Sequence, residues 1–374
     1  MFTNLDHLDT PTLLLDSGKM ERNCRRMQER MQAHGVALRP HVKTAKNVEV
    51  TQAALGAQQG PITVSTVKEA EYFFDHGFRD ILYAVGIVPG KLRRIVELAK
   101  RGARVSLIVD NVDAARAVTR AVASAGVTLP TLIEIDSDGH RAGVKPGHRL
   151  LFDIADALGS SLHGVMTHAG DSYNCDSTDG IRQVAARERE AVVKCAEALR
   201  GGGQACPVVS VGSTPTATFA ESFAGVTEVR IGVYVFQDLV MAGLGVCEID
   251  DIAISVLGTV IGHQKDKDWI LTDTGWMSLS RDRGTARQKV DQGYGVVCDA
   301  MGRPSEDLVV IDANQEHGII ARRDGGAVDF AQFPMGTKLR ILPNHACATA
   351  AQHCEYQVVR DGQTMEVWER FGGW

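Results

Sequence analysis

Arg39-Pro40-His41-Val42-Lys43-Thr44 closes the apolar run Gly35-Val36-Ala37-Leu38 and leads into a segment of helical texture at residues 45–55. Lys43 then stands at the carboxyl end of a strand, where open and closed α/β folds bind their ligands. Arg39 lies four positions before it and His41 two before. Basic neighbours of that kind disfavour an ammonium ion and make a usable amine nucleophile. Taken alone, the hexapeptide reads better as an ordinary solvated loop. The chain around it decides between the two.

Strand-like runs recur with little deviation. They end near Lys43, Thr66, Gly86, Asp110, Asp136, Gly170, Ser213 and Val235. Between them lie segments rich in Ala, Glu, Arg and Leu with helical period, such as residues 68–76, 91–101, 112–125 and 182–200. Eight strands, each beside a helix, predict an α/β fold of the (β/α)8 TIM-barrel type, here over residues 18–245. A doubly wound sheet is the competing arrangement, but no Gly-x-Gly-x-x-Gly follows the first strand. Beyond Leu244 the segments become short and β-branched, separated by turns such as Asp324-Gly325-Gly326 and Asp361-Gly362. That texture predicts a second, mostly β domain from residues 246–374, joined by residues 1–17 with their strand at 11–16.

Composition narrows the function classes. A chain of 374 residues with 44% apolar and 23% charged residues buries a large core. Its formal charge of −6 offers nothing to nucleic acid or to an anionic membrane. No run is long enough to span a bilayer, and MFTNLDHLDT lacks a signal-peptide pattern, so a cytoplasmic protein is expected. Eight cysteines without paired spacing read as reduced thiols, mostly buried.

The strand ends carry the chemistry. Asp138-Gly139-His140-Arg141-Ala142-Gly143 follows the fifth strand, Thr167-His168-Ala169-Gly170-Asp171-Ser172-Tyr173 the sixth, and Gly212-Ser213-Thr214-Pro215-Thr216 the seventh. The eighth contains Arg230-Ile231-Gly232-Val233-Tyr234. The Gly-Ser-Thr-Pro-Thr loop offers free N–H groups and two hydroxyls before a helix, which suits a phosphate as well as a plain N-cap. A reactive lysine and a phosphate cradle in one barrel point to pyridoxal 5′-phosphate (PLP) held as a Schiff base. In the β domain, His345 and Cys347 of Pro343-Asn344-His345-Ala346-Cys347 are an i, i+2 pair that an extended segment points to one face. Imidazole and thiolate suit zinc, with positions left for water or substrate. A buried histidine beside a buried thiol is the plainer reading. Asn314-Gln315-Glu316-His317-Gly318 is another polar patch there.

Together these motifs resemble the metal-dependent D-serine dehydratase and D-threonine aldolase family, PLP enzymes of fold type III related to alanine racemase. The likeness runs from Leu8 to Trp374 and is strongest toward the D-threo-3-hydroxyaspartate dehydratases, through Gly275-Trp276-Met277 and Ser280-Arg281-Asp282-Arg283-Gly284-Thr285. It implies that Lys43 holds PLP and removes the Cα proton. Arg141, His168 and Tyr173 would then contact the cofactor, and Gly212, Ser213, Thr214, Gly232 and Tyr234 its phosphate. His345 and Cys347 would hold a divalent ion, zinc first and manganese or magnesium next, that draws off the β-hydroxyl. The aldolase branch carries aspartate where Cys347 stands. The expected activity is therefore a lyase that dehydrates a D-3-hydroxy amino acid to a keto acid and ammonia. Retro-aldol cleavage to glycine, racemisation and a non-catalytic PLP carrier are the competing activities. The resemblance also implies a homodimer. A second substrate carboxylate would call for an arginine, with Arg281, Arg283 and Arg287 as candidates.

Overall fold

The computed structural model describes residues 5–56, 60–139, 141–360 and 362–374. His140 of the Asp-Gly-His-Arg motif, Asp361 of the last turn and the first four residues lie outside them. Two compact units emerge, Met1–Cys24 with Val233–Gly372 and Arg25–Gly232 with Gly373–Trp374. β1 (Thr12–Asp16) opens the first unit, and α1 (Ser17–Ala33) runs from it into the second.

The second unit holds β2 (Ala37–Pro40), β3 (Ile62–Val64), β4 (Asp80–Tyr83), β5 (Arg104–Val109), β6 (Thr131–Ile135), β7 (Leu162–Thr167), β8 (Val208–Val211) and β9 (Glu228–Ile231). Between them run α2 (Val48–Leu55), α3 (Val67–Asp75), α4 (Pro89–Lys100), α5 (Val112–Ala125), α6 (Leu150–Leu158), α7 (Thr178–Gly201) and α8 (Thr214–Phe219). All eight strands are parallel, in the order β2-β9-β8-β7-β6-β5-β4-β3, and a single bridge between His41 and Thr63 spans the remaining seam. This is a nearly closed (β/α)8 barrel. The caps are local chemistry, since Asn47, Thr66, Asn111 and Ser177 each accept an N–H of the following first turn.

Alternate residues of each strand point inward. Leu82, Ile108, Leu132 and Met166 form one buried cluster with Val208 packed against it. Beside it the interior carries a charged network. Arg39 donates to Glu228 (2.8 Å), Asp80 (2.7 Å) and the carbonyl of Ile62 (3.2 Å). Ser210 donates to Glu228 (2.7 Å) and accepts from Arg230 (2.8 Å), whose other nitrogen reaches the carbonyl of Thr167. The charge of Arg39, expected to press on Lys43, is therefore balanced by two carboxylates. β9 also stops short of the expected strand through Tyr234, because a Cβ at Gly232 would lie 2.7 Å from Thr44 Oγ1 and 2.8 Å from the His41 carbonyl. The chain leaves the sheet there and coils into a 3-10 turn, Val233–Val235.

The first unit adds α9 (Leu239–Gly243), β10 (Ile254–Gln264), β11 (Trp269–Thr272), α10 (Trp276–Leu279), β12 (Val296–Cys298), β13 (Pro304–Ala313), β14 (Gly318–Arg322), β15 (Lys338–Leu342), α11 (Ala346–Ala350), β16 (Glu355–Arg360) and β17 (Gln363–Glu369). Its nine-stranded sheet runs β11-β14-β13-β12-β15-β10-β1-β16-β17, and β11 pairs back onto β10 to close a ring of six strands. β1 lies antiparallel to β10 and parallel to β16. The polar patch at Asn314–Gly318 is the β13–β14 turn, with the Asn314 N–H on the His317 carbonyl at 2.8 Å. Five cysteines are buried, Cys175 and Cys347 are half-buried, Cys354 is exposed, and all are free thiols. No described helix is long and apolar enough to cross a membrane.

Replacing Arg39 with Met strands Glu228 and Asp80 inside the barrel. The expected loss is about 3 kcal/mol of unfolding free energy, as for other buried pairs deprived of one partner, read from urea unfolding.

Candidate active site

At the carboxyl ends of the barrel strands, Lys43 sits exposed on the turn after β2. His41, two residues earlier, is held neutral, well below the ordinary imidazole value. Burial is the main cause, and the charges of Lys43 and Arg230 add to it. His168 follows β7, and its Nδ1 lies 2.6 Å from the Gly212 carbonyl, a contact that requires Nδ1–H to donate. Burial pushes this imidazole down to about 4, opposed by the Gly212 hydrogen bond and assisted by Lys43, Arg230 and Arg141. Its Nε2 is therefore an unprotonated acceptor. The Tyr173 ring lies 6.3 Å from that of His168, tilted by 41°. Arg141 is exposed, 3.4 Å from Glu134, and shares with His168, Asp136 and Asp138 the lining of a small cavity. The barrel thus gathers Lys43, Arg141, His168 and Tyr173 on one rim.

In the loop after β8, Ser213 caps α8 in a reciprocal capping box with Thr216, which is the N-cap reading of this loop. Among the described residues the buried Thr214 Oγ1 has no hydrogen-bond partner, and in the other unit neither does the buried hydroxyl of Tyr234. Buried polar atoms are rarely left so in a folded chain. A Cβ at Gly212 would lie 1.9 Å from the Arg230 carbonyl, so β8 and β9 approach more closely there than any side chain permits.

His345 and Cys347 lie in the other unit, with Tyr234 assigned to it as well. They do not alternate along an extended strand as expected. His345 is the extended N-cap of α11 and Cys347 lies in its first turn, where their side chains hydrogen-bond. His345 Nδ1 is 2.7 Å from Asp282 Oδ2. Burial alone would lower the imidazole, but Asp282 and Cys347 outweigh it and push it up to about 11. The buried Asp238 accepts the Ala346 N–H (2.9 Å) and the Met241 N–H (2.9 Å), which pins the start of α11. A carboxylate on Nδ1 leaves Nε2 for a metal, an arrangement common around ligating histidines. Among the described residues no cluster of three or more His, Cys, Asp or Glu side chains could hold a metal ion, so His345 and Cys347 would supply only part of a coordination shell.

Residues 15–239 match the alanine racemase N-terminal domain, and residues 253–359 match a putative serine dehydratase domain. The chain belongs to the alanine racemase N-terminal domain family. This family member is 54% identical over 373 residues to the D-threo-3-hydroxyaspartate dehydratase of Delftia sp. (strain HT23), 98% of either chain. Solved structures of a D-threo-3-hydroxyaspartate dehydratase include a histidine-to-alanine variant (54% identity, TM-score 0.98, 100% of this chain and 98% of that one). A cysteine-to-alanine variant, described as being in the metal-free form, gives 53% identity and a TM-score of 0.97 over 100% of both chains. The two substituted positions are two apart, the spacing of His345 and Cys347 here. A D-threonine aldolase from Arthrobacter sp. is 31% identical over 377 residues, 98% of this chain and 93% of that one.

In this family member sequence reasoning missed three carboxylates. Glu188 lies on α7, buried in the stripe Ile181, Val184, Ala185, Glu188, Val192, Cys195. Its helical spacing was the available signal, hidden by the run Arg187-Glu188-Arg189-Glu190 that looks like a solvated face. Asp282 had none, because its partner His345 is distant in sequence, and Asp238 offers only a cap to the Met241 N–H while its other partner, Ala346, is remote. Of the three arginines, Arg283 is engaged with Asp291 (2.8 Å) and stacks on Tyr294, whereas Arg281 stacks on Trp276 and has no carboxylate partner among the described residues. Arg287 is exposed.

His168 makes stability depend on pH. Unfolded, its imidazole takes a proton below about pH 6.5, but folded only near 4. Its contribution is full above the unfolded value and is lost as pH falls through that window, at about 1.4 kcal/mol per pH unit. Urea unfolding at pH 7.5, 6 and 5 is expected to show a shallower decline for His168→Gln. An unchanged decline would mean that this imidazole titrates normally.

Proposed function

We propose that this protein is a lyase that dehydrates a D-3-hydroxy amino acid, D-threo-3-hydroxyaspartate first and D-serine next, with PLP and a divalent metal. The observation that carries the reading is the 54% identity to a D-threo-3-hydroxyaspartate dehydratase along nearly the whole chain. The unpartnered Thr214 and Tyr234 hydroxyls and the close approach at Gly212 and Gly232 fit a phosphate. The paired imidazole and thiol at His345 and Cys347 fit a soft divalent ion, zinc before manganese or magnesium. The variants of the Delftia-type enzyme at the same two-residue spacing support that placement.

Each residue has a distinct task in this reading. Lys43 Nζ would hold the cofactor and would take up the Cα proton of the substrate. PLP supplies a sink for the electron pair left at that carbon. Ser213, Thr214 and the backbone at Gly212 and Gly232 bind phosphate oxygens, together with Tyr234. Arg141, His168 and Tyr173 orient the ring. His168 does so as a neutral imidazole that donates from Nδ1 and accepts at Nε2. The metal supplies Lewis-acid pull on the substrate hydroxyl. His345 and Cys347 hold it, and Asp282 fixes the imidazole's orientation. Loss of water across Cα–Cβ and later uptake of water leaves a 2-keto acid and ammonia. The reading includes a homodimer in the cytoplasm with a small D-amino acid as its ligand. The aldolase reaction is the less favoured reading, given cysteine rather than aspartate at position 347 and the lower identity to the D-threonine aldolase.

Two tests follow from these assignments. With PLP and D-threo-3-hydroxyaspartate, keto acid and ammonia are expected in equal amounts. Both should vanish on chelation and in Lys43→Ala, which should also lack the absorbance of lysine-bound PLP. Glycine and an aldehyde instead would make the protein an aldolase. Arg281, which has no carboxylate partner among the described residues, is a candidate arginine for a second carboxylate. Arg281→Met is expected to lower kcat/KM for D-threo-3-hydroxyaspartate by about 30-fold, the value of a charge-assisted hydrogen bond, while D-serine turnover is spared. Equal losses on both substrates would exclude that role.

A further inference from the structure

Glu188 is a carboxylate buried inside the barrel wall, on a helix that carries none of the rim motifs. Its Oε1 accepts the Ala169 N–H (3.1 Å), next to His168 after β7, and the Gly212 N–H (3.0 Å), which opens the loop after β8. Its side chain also hydrogen-bonds Thr216. From Thr216 the circuit continues through Ser213 Oγ (2.9 Å) to Ser172 Oγ (2.9 Å), which donates to the Ala169 carbonyl (2.7 Å). The carboxylate therefore ties two consecutive β/α loops into one buried ring of hydrogen bonds. His168 closes the ring on the outside through the Gly212 carbonyl. Arg230 provides the balancing charge, and burial raises the carboxyl above its ordinary range.

We infer that Glu188 is a positioning residue that sets affinity for the phosphate of the cofactor, by fixing from behind the loops at Ala169 and Gly212 that present the phosphate-binding groups. The inference rests on the reading that this cradle takes the phosphate of PLP. A buried acceptor shared by two amides costs little to hold once the loops are closed, and it leaves the Thr214 hydroxyl aimed at a ligand instead of at the protein. Reach matters more than charge in this arrangement. Asp at this position retains the charge but is one methylene too short to serve both loops, whereas Gln retains an oxygen at full reach.

The experiment titrates cofactor-free wild type, Glu188→Asp and Glu188→Gln with PLP and with pyridoxal, which lacks the phosphate, and follows the absorbance of the lysine adduct. Thermal midpoints of the cofactor-free proteins are recorded alongside. The expected result is that Glu188→Asp binds PLP about 30-fold more weakly and pyridoxal within about threefold of wild type. Glu188→Gln should keep most of the PLP affinity. Equal weakening of PLP and pyridoxal in Glu188→Asp would overturn the inference in favour of a general structural role. So would a Glu188→Gln protein as impaired as Glu188→Asp. Wild type that binds pyridoxal as tightly as PLP would sink the phosphate-cradle reading itself, a different failure.

Discussion

One arginine side chain completes what the backbone of the barrel leaves open. β2 pairs along its length with β9, but toward β3 only the His41–Thr63 bridge joins them. Arg39 reaches across that seam to the Ile62 carbonyl on β3 and Asp80 on β4, and holds Glu228 on β9 with its Nε. A guanidinium suits the task because its fork offers several donors in fixed directions, which an ammonium does not. Lys43 follows four residues later on the turn after β2. The turn that bears Lys43 thus begins at a strand end fastened by these ion pairs.

Much of this was legible in advance. Strand ends followed from apolar runs and the helices from their composition and period, and the rim residues lay in polar stretches just after the strands. Two misreadings have physical causes. Arg39 looked like a like-charge neighbour of Lys43, but strand alternation sends its side chain into the interior, where the partners come from residues 80 and 228. His345 and Cys347 looked like alternate positions of a strand, but Asp238 captures the Ala346 N–H and starts a helix there. In each case the deciding partner was remote in sequence.

The rim also shows how burial assigns proton positions. Two imidazoles, His41 and His168, stand among Lys43, Arg230 and Arg141, and both are kept neutral. Neither imidazole adds a positive charge beside Lys43. The opposite rule holds at His345, where Asp282 and Cys347 favour the charged ring until something else binds. The same side chain does different work because one environment lacks acidic partners and the other is made of them.

The path of the chain has a consequence for synthesis. β1 leaves the ribosome first, yet its pairing partners, Ser255 opposite Leu14 on one side and Gln357 on the other, appear only after every strand of the barrel has been made. A strand with two missing neighbours exposes both rows of amides, so Thr12–Asp16 must wait unpaired while the barrel assembles behind it. Pairings this distant are the slow ones in folding. The barrel can form as each β/α unit emerges, whereas the unit bearing His345 and Cys347 closes only when the last strands arrive. A nascent chain interrupted after β9 would carry Lys43 and the loop after β8 but lack the histidine–cysteine pair altogether.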